Sequence, residues 1–152
     1  MQTSEQGLIE HATLEQLQQL AHHVLRGGLI ESRPAKPNIL ELVKVHVPNA
    51  QEVMYARQVS VARRTISAGD VALVNVGGAL VVAEVWFHIT IDGGCARSCV
   101  SYQDNISGDM YTRTAERIEN PMLICCTDVR ASCIYRELAN NRIMVIVPSE
   151  SW

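Results

Sequence analysis

Apolar and polar positions alternate most regularly between Ser67 and Asp92, SAGDVALVNVGGALVVAEVWFHITID, and the rest of the chain is read around that stretch. From Ala79 the odd positions Ala79, Val81, Ala83, Val85, Phe87, Ile89 and Ile91 are all apolar, while Glu84, Trp86, His88 and Thr90 fall between them. Side chains of a strand point alternately to its two faces. The pattern therefore predicts one long strand with a dry face and a mixed, wetter face. Asp70 to Val76 is apolar at both parities, as expected of a central, covered strand. Gly77-Gly78 supplies the positive φ of a tight hairpin between the two, and Asp92-Gly93-Gly94 closes the far end.

The flanking segments carry weaker signals. Thr13-Leu14-Glu15-Gln16 matches a capping box. Leu14, Leu17, Ala21 and Val24 follow at helical spacing, and Gly27-Gly28 supplies a stop. The spacing predicts an amphipathic helix over Thr13 to Arg26, docked on the chain's own body, with homodimerisation through its stripe as the other reading. Glu31 to Asn38, with two prolines, reads as a linker. Ile39 to Val47 alternates Val43, Val45 and Val47 against Lys44 and His46, a strand pattern. Gln51 to Arg64 has no clean helical stripe and is also read as strand. Further strands are expected at Val100 to Gln103, Met110 to Ile118 and Met122 to Cys126. Asp104 to Gly108 reads as a turn, and Asp128 to Ser132 as a loop or a helical turn. A last hairpin, Cys133 to Leu138 with Arg142 to Val147, turns at Asn140-Asn141.

The tally predicts a mainly β fold: a small barrel, SH3-like or related, or a sandwich of seven to nine strands, with an N-terminal amphipathic helix. The expected organisation is a helical segment over 1–30, a linker over 31–38, the β domain over 39–148 and a tail over 149–152. The Ala68 to Asn75 opening, A-G-D-V-x-L-V-N, followed by a long hairpin, is similar to the start of many SH3-like barrels. That resemblance covers a fraction of the chain, recurs across unrelated functions and assigns no function by itself.

Composition narrows the picture. The chain has 152 residues, enough for one domain with a proper core. With aromatics at 5%, that core must be built from Val, Ile, Leu, Ala and Met. A net charge of −3 argues against non-specific nucleic-acid binding, which needs excess Lys and Arg. No apolar run is long enough for a membrane span and no signal-peptide pattern opens the chain, so a cytoplasmic protein is expected. Five cysteines, an odd number, are expected as reduced thiols.

Candidate chemistry is sparse. Cys95 and Cys99, with Cys125, Cys126, Cys133 and His88 elsewhere, lack the paired knuckles of a zinc site, so no metal and no cofactor is expected. A thiol–imidazole enzyme would need His88 beside Cys95 or Cys99 in a barrel mouth. No nucleophile elbow, P-loop or H-E-x-x-H motif accompanies them. Tyr111, Arg113 and Arg117 share a strand face that could stack bases, a second alternative set against the acidic net charge. The leading expectation is a non-enzymatic module binding protein or peptide. Its candidate residues are Glu84, Trp86 and His88 on the wetter face, with Tyr111 and Arg113.

Overall fold

A computed structural model describes residues 27–109 and 111–147. The helix expected over Thr13 to Arg26, the tail over 149–152 and Met110 lie outside the described residues. Of the described residues 59% are strand, and one α-helix accompanies them, which places the chain in the mainly β class. The strands form three antiparallel sheets, none of them closed into a barrel.

The first strands are β1 (Gly28–Ile30) and β2 (Arg33–Pro34), followed by α1 (Pro37–His46). Next come β3 (Val53–Ala56), β4 (Gln58–Val61), β5 (Arg64–Ser67), β6 (Val71–Val76) and β7 (Ala79–Ile91). The second half runs through β8 (Arg97–Tyr102), β9 (Asp104–Gly108), β10 (Thr112–Glu116), β11 (Pro121–Cys125), β12 (Val129–Ser132), β13 (Ile134–Leu138) and β14 (Arg142–Ile146). One sheet is ordered β1-β4-β5 and another β13-β14-β10-β9. The largest runs β11-β8-β7-β3-β2, with β6 pairing both β7 and β12.

The hairpin β6–β7 is the centre, as its alternation predicts. It turns through Gly77 and Gly78 at φ 58° and 92°, a two-residue loop of the kind that matches strand twist. Both of its faces are dry. Ala72, Val74, Ala83 and Val85 pack with Val59, Val61 and Ile66 of the small sheet. Val71, Leu73 and Val82 point the other way, against Ala115, Ile143 and Val145 of the four-stranded sheet. A third cluster joins Val43 of α1 to Val53, Phe87, Ile89 and Cys99.

The reading of β7 as one uninterrupted alternation needs correction. Its pairing with β8 slips between Val85 and Phe87, which sit opposite Val100 and Cys99. Trp86 is the extra residue of a β-bulge, and a bulge changes which face the following residues take. Before it, Val85 faces the small sheet; beyond it, Phe87 and Ile89 face α1. His88, assigned to the wetter face by parity, is instead fully buried. The main chain of Ile66 and the Asp70 carboxylate are its neighbours.

Two further corrections concern the N-terminal half. Ile39 to Val47 is helix, not strand. Pro37 sits in the first turn and Lys44 and His46 in the last, which suits the proline's fixed φ and the helix dipole. Ile39, Leu40 and Val43 meet the core while Val45 is 76% exposed, so the apparent strand face is split between inside and out. The segment 31–38 is no free linker, since β2 pairs with β3 and α1 begins at Pro37. Asp104 to Gly108, read as a turn, pairs with β10 as β9. Of Asp128 to Ser132, read as a loop or a helical turn, Val129 to Ser132 pairs with β6 as β12. The closing hairpin stands as expected, with Asn140 and Asn141 at φ 63° and 59°.

Candidate functional site

The bulge puts Trp86 at the border of two environments. Part of the indole rests against the α1 cluster. The rest lines a cleft of about 280 Å³ together with Glu84, Gln103, Arg117, Glu119 and Asn141. Each wall of that cleft is tied down. Arg117 Nη1 donates to Glu84 Oε2 at 2.7 Å and Nη2 to Glu137 Oε1 at 3.1 Å. The same guanidinium lies over the Tyr135 ring, 5.8 Å from its centre. Asn141 Nδ2 donates to the Arg117 carbonyl at 3.0 Å, and the Arg117 amide donates to the Asn141 carbonyl at 2.9 Å.

Gln103 of the lining and the neighbouring Ser101 are both buried polar residues. Gln103 Nε2 donates to the Ser101 carbonyl and Gln103 Oε1 accepts from the Ile118 amide at 3.1 Å. Ser101 Oγ donates to the Ile118 carbonyl and accepts from the Asn120 amide. These bonds fix the 117–120 segment against β8, so the cleft is set before any ligand arrives. Exposed ion pairs each contribute at most about 1 kcal/mol, so their role here is shape more than stability. Glu119 is exposed and makes no ion pair among the described residues.

The other candidates go elsewhere. His88 Nδ1 is hydrogen-bonded to Ser98 Oγ at 2.8 Å, and its Nε2 has no hydrogen-bond partner among the described residues. Burial pushes the imidazole down to about 4, against smaller opposing effects of the Ile66 main chain and Asp70. His88 is therefore a neutral core residue and not a surface contact. Cys99 lies in the α1 cluster, and burial pushes its thiol up to about 12. The imidazole's polar partner is the Ser98 hydroxyl, so the pair required by the thiol-enzyme alternative is not formed with Cys99. Cys95 lies beyond the Asp92-Gly93 turn, ahead of buried Ala96. No disulfide joins the five cysteines. No cluster of three or more metal-ligating side chains occurs among the described residues.

Tyr111 and Arg113 do not reach the Trp86 cleft. Arg113 faces inward with Ala115, opposite Val145, and donates to the Leu80 carbonyl. Tyr111 is 64% exposed at the far end of β10. Both arginines of the supposed base-stacking face are thus engaged with β7, through Leu80 and Glu84. Residues missed by sequence reasoning are Gln103, Glu119 and Asn141; they come from three separate loops and strand ends. Arg117 alone carried a signal, sharing strand parity with Arg113.

Fold and cleft together define a layered, mainly β protein with a pre-formed polar surface cleft around one tryptophan. Comparison with known protein families, with curated proteins and with solved structures finds no match for the chain. No helix among the described residues is long and apolar enough to cross a membrane.

Proposed function

We propose that this protein is a non-enzymatic binding module, and that the Trp86 cleft receives a segment of a protein partner. The observation that carries the reading is the half-buried indole, held at a bulge beside a rigid frame of hydrogen-bonded polar groups. Tryptophan at the centre of a pre-set cleft offers a large contact area with little entropy left to lose. Glu84 and Glu119 outnumber Arg117 among the lining charges, so a basic side chain on the partner suits the cleft better than an acidic one.

Selection of random peptides displayed on phage against the full chain tests this. Enriched peptides are expected to carry Lys or Arg, and to lose about 30-fold or more in affinity for Trp86→Ala, the size of a hot-spot loss. Failure to enrich any sequence, or peptides that bind Trp86→Ala unchanged, would remove the proposal.

A further inference from the structure

A second cavity, about 410 Å³, lies at the corner where the chain passes from the small sheet to the large one. Two crossings frame it. Gly28 stands opposite Ser60 and Ile30 opposite Gln58 in one sheet, and Arg33 opposite Tyr55 in the other. These pairings keep a single register, so β1–β2 and β3–β4 form one antiparallel ribbon bent at the corner. Continuing that register sets Glu31 across from Arg57. Glu31 takes a left-handed backbone, φ 52°, to make the bend, a conformation that non-glycine residues adopt at a cost.

We infer that this corner cavity binds a small organic anion, its oxyanion held by Arg33 and Arg57 and its body against Tyr55. Both arginines line the cavity, are exposed, and make no ion pair or side-chain hydrogen bond among the described residues. Glu31 lies in the same wall but within ion-pair distance of neither. Two guanidinium groups against one carboxylate leave the cavity with unneutralised positive charge, in a chain whose net charge is −3. Such a pair offers planar forks matched to carboxylate or phosphate. Tyr55 is held in place by the Phe87 ring, 5.9 Å away and tilted by 54°. With Ile30, Ala56 and Ala68 it gives the cavity apolar wall as well as charge. The volume falls in the range of small-molecule sites and exceeds what a bare inorganic anion fills.

Isothermal titration calorimetry of the full chain with phenyl phosphate, benzoate and inorganic phosphate is the test. Saturable binding of phenyl phosphate or benzoate is expected, weaker by about tenfold or more in Arg33→Gln and in Arg57→Gln, as for a lost charge-assisted bond. Arg142→Gln, an exposed arginine on another sheet, should bind like the parent chain. Preference for phenyl phosphate would identify a phosphoryl ligand, and preference for benzoate a carboxylate. No saturable binding of either aromatic probe, or binding that both arginine variants leave unchanged, overturns the inference. So does inorganic phosphate binding as tightly as phenyl phosphate, because the apolar wall would then contribute nothing.

Discussion

Replacing Phe87 by alanine is expected to lower the unfolding free energy by about 3–5 kcal/mol, the range for truncating a buried aromatic. Phe87 is the only phenylalanine in the chain and is 7% exposed. It follows the bulge, faces α1, and touches Tyr55 across the sheet. Truncation would leave a void between the helix and β7 that the neighbouring Val43, Val53 and Ile89 are too constrained to fill. Guanidinium denaturation of parent and variant gives the number. A loss under about 1 kcal/mol would mean that the helix is not seated on β7 as described.

Acid is expected to weaken the fold through His88. His88 binds a proton with a pKa near 6.5 when unfolded and about 4 when folded, because burial resists the charge. Above pH 6.5 the imidazole is neutral in both states and contributes no pH dependence. Between pH 6.5 and 4 the unfolded chain takes up a proton that the folded chain refuses, so stability falls as pH falls. Below about 4 both states are protonated and the loss levels off. The whole step is on the order of 3 kcal/mol.

Asp109 works in a lower window. Hydrogen bonds from the Thr112 and then the Tyr111 amide hold its carboxyl below the usual range. Its contribution is present above the normal aspartate pKa and is lost only further into acid. Denaturation midpoints at pH 7.5, 6, 5 and 4 check the His88 step. In His88→Leu the slope across these points is expected to flatten. An equally steep slope in that variant would assign the step to another group.

The parts of the fold written in local chemistry were legible in the sequence. The Gly77-Gly78 and Asn140-Asn141 turns need left-handed residues and have them. The two-sided apolar run of β6 marks a strand covered from both faces. What the alternation did not carry was the bulge. Nothing in VVAEVWFHITI distinguishes an even ladder from one that slips at Trp86, because the slip is set by the partner strand. That single residue sent His88 into the core against expectation.

Helix α1 escapes the alternation for a related reason. ILELVKV satisfies both periods, and only the core on one side of Ile39, Leu40 and Val43 decides between them. Parity and residue type single out Glu84 and Trp86 as site residues. They do not single out the cleft partners Gln103, Glu119 and Asn141, since loops meet there by tertiary packing alone.

The covering of β6 and β7 on both faces also orders the molecule in time. Neither outer layer can lift away without wetting one side of the central hairpin, so its backbone amides have no local route to solvent. In deuterium exchange under native conditions, amides along β6 and the paired part of β7 are expected to exchange only with global opening. Those of β9, exposed at all five residues, and of β13 at the other end of its sheet should exchange orders of magnitude sooner. NMR-detected exchange would read the hierarchy directly, and equal rates across the three sheets would contradict it. The hairpin is in this sense the protein's slowest clock, and the edge strands β9 and β13 run ahead of it.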